Sequence, residues 1–180
     1  MEKIGFGGGC HWCTEAVFQS LTGVDQVRQG WIASEGEAFA FSEAVIVDYD
    51  PNVIPLEVLV EIHLNTHKST SNHSMREKYR SALYFFENEQ SQRIRNILNE
   101  LQSKFEQKLI TQILPYAGFK PSGDDIVDYY YKNPKKPFCD TFIKPKLRLL
   151  LSDYLPYTDT HKLDHLKRSN SETESEITTH

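Results

Sequence analysis

Apolar positions in the first part of the chain switch between the spacing of strands and the spacing of helices. Residues 3–6 form a short apolar stretch that ends at three glycines, and the apolar positions that follow have helical spacing up to a stop at Gly23. Residues 24–31 and 41–49 have the character of strands and are expected to pair antiparallel. A proline then opens a helix over residues 55–67. The pattern predicts the order strand, helix, strand, strand, helix.

The second part of the chain begins with a polar stretch, residues 68–77, that has no periodicity. A polar loop of this length inside a compact domain is often functional. Strand character returns over residues 79–86, and a long amphipathic helix is predicted over 88–108, followed by a strand over 110–114. We therefore predict an α+β domain whose helices pack on a mixed sheet.

The C-terminal part of the chain is predicted to be less regular. Glycines and prolines from Tyr116 onward indicate a long irregular segment, interrupted by a short helix around residues 146–154. Residues 169–180 are rich in Ser, Thr and Glu, cannot bury apolar surface and are expected to be disordered. We predict one globular domain over residues 1–155 and a C-terminal extension over residues 156–180.

Length and charge exclude several classes of protein. A chain of 180 residues with 39% hydrophobic residues can bury one core, and its formal net charge of −5 argues against a nucleic-acid partner. No run approaches the roughly 18 apolar residues of a membrane span, and the N-terminus lacks the apolar region of a signal peptide. We therefore expect a cytoplasmic monomer without membrane or nucleic-acid partners.

Three cysteines are too few for a disulfide framework, so their positions decide their role. Cys10 lies at the predicted N-terminus of the first helix, where free amides and the helix dipole favour a reactive thiolate. Cys13 lies one turn later and can reach an oxidised Cys10 as a resolving thiol. By itself, a C-x-x-C pair is also compatible with metal binding or with buried free thiols.

Zinc is the metal that this sequence could recruit. His63 and His67 are four residues apart on a predicted helix and could join Cys10 and Cys13 in a four-ligand site. However, 49 residues separate Cys13 from His63, whereas zinc fingers place their histidine pair about a dozen residues after the cysteines. We predict no metal and no other cofactor, with His63 as a partly buried helix residue and His67 as a helix C-terminal residue favoured by the dipole.

The residues around Cys10 resemble the A-type methionine sulfoxide reductase family, whose hallmark is a Gly-Cys-Phe-Trp segment that opens the first helix. Here the segment is Gly9-Cys10-His11-Trp12-Cys13. The similarity covers about residues 4–150 and continues in order through further blocks: Leu21-Thr22-Gly23-Val24, Gly30-Trp31, Glu43-Ala44-Val45, Tyr49-Asp50-Pro51, the His67 region, Tyr79-Arg80-Ser81, Asn133-Pro134, Phe138-Cys139 and Ile143-Lys144-Pro145-Lys146-Leu147. So many collinear blocks make a chance resemblance improbable.

The resemblance implies a ferredoxin-like βαββα core and an oxidoreductase that reduces the S epimer of methionine sulfoxide, free or in peptides, and so repairs oxidised proteins. It places the nucleophile on Cys10, the sulfoxide-protonating carboxylate on Glu43, a pocket aromatic on Trp12 and a hydrogen-bonding tyrosine on Tyr79. Sulfoxide oxygen is a poor leaving group until it is protonated, and a carboxyl kept neutral by an apolar pocket can supply the proton. Thioredoxin or another dithiol is the implied reductant.

The pocket departs from the family pattern more than the scaffold does. His11 replaces the family's phenylalanine in the substrate-binding pocket and adds a titratable group beside Cys10. The chain between Gly30 and Glu43 is shorter than is usual in the family, so the loop that contributes a second pocket tyrosine is missing. The remaining departures are Phe41-Ser42 in place of a Gly-His pair, Ser74 in place of aspartate, and Ile126-Val127 in place of a His-Gln pair.

Two questions stay open at the level of sequence. The sulfenic acid formed on Cys10 can be resolved by Cys13, which is nearest in the chain, or by Cys139, which lies in a predicted irregular segment and could swing in. An external thiol could also reduce it directly. The altered pocket is also compatible with a non-catalytic module that binds oxidised peptides or senses peroxide through Cys10.

Overall fold

The computed structural model of the chain describes residues 1–166, and six strands in them form one mixed sheet. The strands are β1 (Glu2–Gly7), β2 (Val24–Ala33), β3 (Ser42–Tyr49), β4 (Ala82–Phe85), β5 (Gln112–Pro115) and β6 (Gly118–Pro121). Their order across the sheet is β5-β4-β1-β3-β2-β6, and every pair is antiparallel except β4 with β5. The disorder predicted for residues 169–180 lies outside the described residues.

Five α-helices accompany the sheet. They are α1 (His11–Gln19), α2 (Leu56–Asn65), α3 (Asn88–Leu101), α4 (Tyr129–Lys132) and α5 (Lys144–Asp153), with a π-helical turn over Cys139–Ile143 and 3-10 turns over Gly36–Ala38, Gln102–Lys104 and Leu155–Tyr157. The first six elements run β1-α1-β2-β3-α2-β4, and the four strands among them lie in the order β4-β1-β3-β2. This is the ferredoxin-like topology, so the predicted α+β core and the antiparallel β2–β3 pair are confirmed.

The sheet buries apolar side chains on both faces, and the larger core lies under the helices. Ile4 and Phe6 of β1 point into this core because alternate strand residues share a face, and the Phe6 ring stacks on Phe18 of α1 at 4.3 Å. The opposite face carries a smaller cluster that includes Ile46 and Tyr84. Burial on both faces explains why β3 has almost no exposed residue.

Several predicted boundaries differ from those in the structure. The helix predicted over residues 88–108 ends at Leu101, because the Gln102 side chain bonds the returning backbone at Gln107 and Leu109. The strand predicted over residues 79–86 begins only at Ala82. The helix predicted over residues 55–67 spans Leu56–Asn65, and the strand predicted over residues 110–114 spans Gln112–Pro115.

The segment after Tyr116 is more regular than the sequence predicted. Strand β6 was missed because its glycine and proline suggested a loop; it pairs with β2 where Gly30 allows the Lys120 carbonyl to approach. A Cβ at Gly30 would lie 2.2 Å from that carbonyl oxygen. Helix α5 begins at Lys144, before the predicted residue 146, and Leu163 is fully buried in the main core.

No helix in residues 1–166 is both long and apolar enough to cross a bilayer.

The glycine turn that follows β1, residues 7–9, is held from two sides by polar side chains. On one side, Arg76 of the loop over residues 68–77 donates from Nη1 to the Gly8 and Tyr79 carbonyl oxygens, both at 2.8 Å. On the other side, His63 Nε2 donates to the Gly7 carbonyl oxygen at 2.8 Å, and the His67 ring lies against Gly8. The turn is therefore a fixed part of the structure rather than a free loop.

His63 and His67 are neutral parts of the scaffold. His67 Nδ1 donates to the His63 carbonyl oxygen at 2.5 Å, and its Nε2 is 2.8 Å from the Ser81 hydroxyl. Burial lowers the pKa of His63 well below its usual value and lowers the pKa of His67 to about 4. The predicted partial burial of His63 was wrong, since only 2% of its surface is exposed. His67 follows the C-terminus of α2 and bonds the His63 carbonyl there, but as a neutral ring and not as the cation that the dipole favours.

We expect substitution of Gly8, but not of its neighbour Gly9, by alanine to destabilise the fold. A Cβ at Gly8 would lie 2.4 Å from His67 Cδ2, and the two hydrogen bonds of that ring prevent it from moving away. Overpacking of this kind costs about 1–3 kcal/mol. A Cβ at Gly9 would have no neighbour within 4 Å, so Gly9→Ala is the matched control. Urea unfolding measures both free energies, and equal stability of the two variants would contradict this account.

Candidate active site

Cys10 is the N-cap residue of α1 and lies where the glycine turn meets the helix. Its carbonyl oxygen accepts the backbone N–H of Cys13 at 3.1 Å and of Thr14 at 3.3 Å, which begins the helix. The side chain of Cys10 is partly exposed, whereas Cys13 one turn later is buried. All three cysteines are free thiols in the structure.

The two cysteines of the C-x-x-C segment have opposite ionisation tendencies. The Cys13 thiol hydrogen-bonds to the Cys10 sulfur and lowers the pKa of Cys10, with a further contribution from the Trp12 and Cys13 amides. Burial and the nearby Glu43 oppose this lowering without reversing it. The same contact with Cys10, together with burial, raises the pKa of Cys13. Cys10 is therefore the more acidic thiol of the pair, and Cys13 is its hydrogen-bond donor.

Glu43 lies on the face of β3 that α1 covers. It shares this face with Val45 and Val47 because strand side chains alternate, and only 6% of its surface is exposed. The backbone N–H of His11 donates to Glu43 Oε1 at 3.4 Å, and Lys78 Nζ lies 3.8 Å from Oε2. The carboxyl group therefore meets the same helix N-terminus as the Cys10 sulfur. Glu43 is thus a buried strand residue and does not face solvent.

His11 contacts the candidate acid and the neighbouring strand. Its Nδ1 lies 2.7 Å from the Gly30 carbonyl oxygen, and its Nε2 lies 3.2 Å from Glu43 Oε1. The ring meets Trp31 edge-on at 5.0 Å and is 3% exposed. Burial lowers the pKa of His11. The structure thus places this residue, which was expected in the substrate pocket, with both ring nitrogens already engaged.

Trp12 forms an aromatic wall with two residues that sequence reasoning did not single out as site residues. Its ring stacks on Tyr129 at 4.1 Å with an interplanar angle of 4°, and Phe138 packs edge-on against it at 5.3 Å. Lys136 Nζ lies 4.3 Å from the centre of the Tyr129 ring. The Trp12 indole Nε1 is buried without a hydrogen-bond partner in residues 1–166. The sequence did contain one indication of this role for Phe138, because the block Phe138-Cys139 belongs to the family resemblance.

Glu15 is a second residue that sequence reasoning missed, and it positions Tyr129. Its carboxylate accepts the backbone N–H groups of Asp128 at 3.0 Å and Tyr129 at 3.2 Å, and the Gln29 side chain at 3.0 Å. Asp128 has a left-handed backbone with φ of 56°, so the turn before α4 needs this support. Burial raises the pKa of Glu15. An acidic residue on the buried side of an otherwise apolar helix was the signal for it.

Tyr79 is connected to the site by Lys78, which lies close to both the Tyr79 ring and the Glu43 carboxyl. The Lys78 ammonium group is 5.0 Å from the centre of the Tyr79 ring and 3.8 Å from Glu43 Oε2. Arg76 holds the Tyr79 carbonyl oxygen, which connects this segment to the glycine turn beneath Cys10. The structure therefore brings Tyr79 to the side of the site that carries the candidate acid.

Cys139 does not lie in the irregular segment that the sequence predicted. It opens the π-helical turn over Cys139–Ile143, is fully buried, and its Sγ donates to the Asn133 carbonyl oxygen at 3.6 Å. Burial raises the pKa of Cys139. Tertiary packing thus holds this thiol in the core, and exposure would require the start of the turn to open.

A metal has no set of ligands in the part of the chain that the structure describes. No group of three or more His, Cys, Asp and Glu side chains in residues 1–166 is placed to hold an ion. His63 and His67 bond to backbone and hydroxyl groups instead of facing the cysteines.

Comparisons with known proteins give a consistent result. A family model described as peptide methionine sulfoxide reductase matches residues 2–157. Peptide methionine sulfoxide reductase MsrA of Psychrobacter sp. (strain PRwf-1) is 33% identical over 173 residues, covering 87% of this chain and 98% of the relative. MsrA of Pasteurella multocida (strain Pm70) is 34% identical over 155 residues, covering 78% and 89%.

Solved structures give the same result for the fold. Methionine sulfoxide reductase A of Corynebacterium diphtheriae superposes with a TM-score of 0.64 at 26% identity, covering 74% of this chain and 75% of that chain. Mxr1 from Saccharomyces cerevisiae in an unusual oxidised form superposes with a TM-score of 0.61 at 26% identity, covering 74% and 82%. The similarity therefore includes most of the described structure.

Removal of the Cys13 thiol should make Cys10 a weaker acid. Cys13→Ala deletes the hydrogen bond that most lowers the pKa of Cys10, and a bond to a charged group contributes about 1.5 kcal/mol or more. Alkylation of Cys10 by iodoacetamide at pH 7 should slow about tenfold, and the pH midpoint of its rate should rise. Cys139→Ala is the control, because Cys139 makes no contact with the Cys10 sulfur that lowers its pKa. An unchanged midpoint in Cys13→Ala would show that the helix amides alone stabilise the thiolate.

Proposed function

The chain belongs to the peptide methionine sulfoxide reductase family, and on this premise we propose that Cys10 is the nucleophile of a thiol-dependent reduction of methionine sulfoxide. One observation carries the assignment of residues. The thiol with a lowered pKa and a buried carboxyl group meet at the same helix N-terminus, through Cys10 and Glu43. A nucleophile and a proton donor at one point are what this reaction needs.

The reaction consumes one thiolate and one proton. The Cys10 thiolate attacks the sulfoxide sulfur, and a proton from the Glu43 site is transferred to the sulfoxide oxygen, which makes that oxygen a better leaving group. The oxygen passes to the cysteine sulfur, the sulfur–oxygen bond of the substrate breaks, and the sulfide leaves as methionine. Cys10 is left as a sulfenic acid that contains the oxygen and the proton.

The aromatic wall defines the proposed substrate pocket. Trp12, Tyr129 and Phe138 supply an apolar surface beside Cys10 for the methyl group of the substrate. Tyr129 and Phe138 come from the C-terminal part of the chain and stand in for the pocket tyrosine that the short loop before β3 cannot provide. The proposed substrate is the S epimer of methionine sulfoxide, free or in peptides, and the proposed role is repair of oxidised proteins.

We assign the resolving thiol to Cys13. A hydrogen bond from its thiol lowers the pKa of Cys10, and a C-x-x-C pair at a helix N-terminus can bring its α-carbons within the roughly 4.4–6.8 Å that a disulfide spans. Its thiol attacks the sulfenic acid, a disulfide forms and water leaves. Cys139 is fully buried in a helical turn and would have to leave the core first. Thioredoxin or a comparable dithiol then reduces the disulfide and completes the cycle.

Cys10→Ser should abolish methionine formation in a single turnover without reductant. A hydroxyl has no comparable anionic population near neutral pH, so attack on the sulfoxide sulfur stops. The wild type, Cys13→Ser and Cys139→Ser should each form about one equivalent of methionine, because resolution follows the release of methionine. Amino-acid analysis of the reaction mixture measures the yield. Methionine formed by a folded Cys10→Ser protein, or none formed by the wild type, would refute the proposed function; the latter result would favour a module that binds or senses oxidised groups.

The same single turnover identifies the resolving thiol. After one equivalent of sulfoxide, peptide mapping without reduction should show a Cys10–Cys13 disulfide in the wild type and in Cys139→Ser. Cys13→Ser should instead accumulate a sulfenic acid that dimedone traps, and its turnover with thioredoxin should be lost. A Cys10–Cys139 bridge in Cys13→Ser, with turnover at the wild-type rate, would transfer the role to Cys139.

A further inference from the structure

We infer that His11 and Glu43 form a pair that shares one exchangeable proton, and that this shared proton is the one transferred to the sulfoxide oxygen. The inference rests on the proposed function and adds a positioning residue to it. The hallmark segment of the family has phenylalanine at the place of His11, and phenylalanine has no ring nitrogen. The pair is therefore a feature of this chain's own site.

The tautomer of His11 is set by the strand beside it. The Gly30 carbonyl oxygen lies 2.7 Å from Nδ1, and a carbonyl can only accept a hydrogen bond. Nδ1 must therefore carry a hydrogen in every state that keeps this contact. The neutral ring then has its lone pair on Nε2, which is the nitrogen that faces Glu43.

The contact between Nε2 and the carboxyl group requires a proton. The two atoms are 3.2 Å apart, and both carry lone pairs if the imidazole is neutral and the carboxyl is ionised. One proton turns this repulsion into a hydrogen bond, either as an imidazolium beside a carboxylate or as a carboxylic acid beside a neutral imidazole. Because the groups are strongly coupled, that proton belongs to the pair and not to one residue.

The surroundings favour a pair with a single proton. His11 and Glu43 are both buried, so a second proton would leave a buried cation without a counter-charge. The charged and titratable groups that face the pair are the Cys10 thiol, the Lys78 ammonium 3.8 Å from Oε2, and Tyr79 next to Lys78. Burial lowers the pKa of His11, and the Gly30 carbonyl and the Glu43 carboxyl oppose this lowering.

The shared proton fits the balance of the reaction. The pair gives up its proton as the Cys10 thiolate attacks, and the proton ends in the hydroxyl of the sulfenic acid. The pair then consists of neutral His11 and the Glu43 carboxylate, and it recovers a proton from solvent before the next turnover. His11 does not touch the reacting atoms; it keeps a proton available on the residue that does.

Kinetics over a range of pH test the pair directly. The substrate is a peptide that contains methionine sulfoxide, with dithiothreitol as the reductant. In the wild type, kcat/KM should stay high as the pH rises until the pair loses its last proton, and it should then fall along a high-pH limb. His11→Phe removes the lone pair, and His11→Gln offers an amide N–H that favours the carboxylate. In both variants the high-pH limb should therefore move down by about one pH unit, since a hydrogen bond to a charged group corresponds to about that shift.

Two further variants are compared with the His11 variants: one removes the general acid, and the other is a matched control. Glu43→Gln should lower kcat/KM about 10²- to 10⁴-fold at every pH, which is the usual loss when a general acid is removed. His161→Gln is the matched control, because the side chain of His161 is 96% exposed and lies outside the site, and its pH profile should superpose on that of the wild type. Superposed profiles for the wild type and both His11 variants would overturn the inference.

A spectroscopic readout separates this inference from the proposed function. Nitrogen-15 NMR of the histidine rings reports which nitrogen of His11 carries hydrogen and at what pH that state changes. Nδ1–H should persist throughout, and the titration midpoint of His11 should fall in Glu43→Gln. If the wild type failed to reduce sulfoxide, the proposed function would fail while this shift would still support the shared proton. An identical midpoint in the wild type and Glu43→Gln would overturn the pair even in an active enzyme.

Discussion

The N-terminus of α1 is the constraint on which the site depends, because its free amides serve two acidic groups at once. Cys10 is the N-cap residue of the helix, with its sulfur near the first amides, and the Glu43 carboxyl accepts the His11 amide in the same turn. Two negative charges at one helix end repel each other, and Glu43 accordingly raises the pKa of Cys10, which disfavours its thiolate. The arrangement holds because each group has its own hydrogen-bond partner: the Cys13 thiol for the sulfur, and the His11 ring for the carboxyl.

This charge balance needs a backbone that does not move. The turn before Cys10 is fixed by Arg76 through the Gly8 carbonyl and by His63 through the Gly7 carbonyl. The aromatic wall is fixed in the same manner, since the Glu15 carboxylate holds the backbone before Tyr129. In each case a buried or partly buried polar side chain bonds to main-chain groups, so the hydrogen bonds that satisfy it also set the positions of catalytic neighbours.

Local spacing was sufficient for the parts of the site that are close in sequence. Cys10, Trp12 and Cys13 follow from a glycine turn before a helix, and the resemblance supplied Glu43 from a matching block. The aromatic wall and the carboxylate that supports it could not be derived from spacing, because Glu15 meets Tyr129 across 114 positions. The same holds for β6, whose pairing depends on the close approach of Lys120 to Gly30. Contacts of this kind are set by packing, which leaves no periodic pattern in the chain.

This chain has His11 where the family hallmark has phenylalanine, and the difference shows how packing contacts restrict which residues a buried position can hold. A buried imidazole is costly unless both nitrogens are satisfied, and here the Gly30 carbonyl and Glu43 satisfy them. Without the carboxyl group, Nε2 would be buried beside Trp31 with no partner. A buried histidine at this position therefore depends on the Glu43 carboxyl as a partner for Nε2, whereas a phenylalanine ring has no polar atom that needs a partner. The substitution replaces an apolar ring with a polar pair, and the apolar surface beside Cys10 is supplied by Trp12, Tyr129 and Phe138.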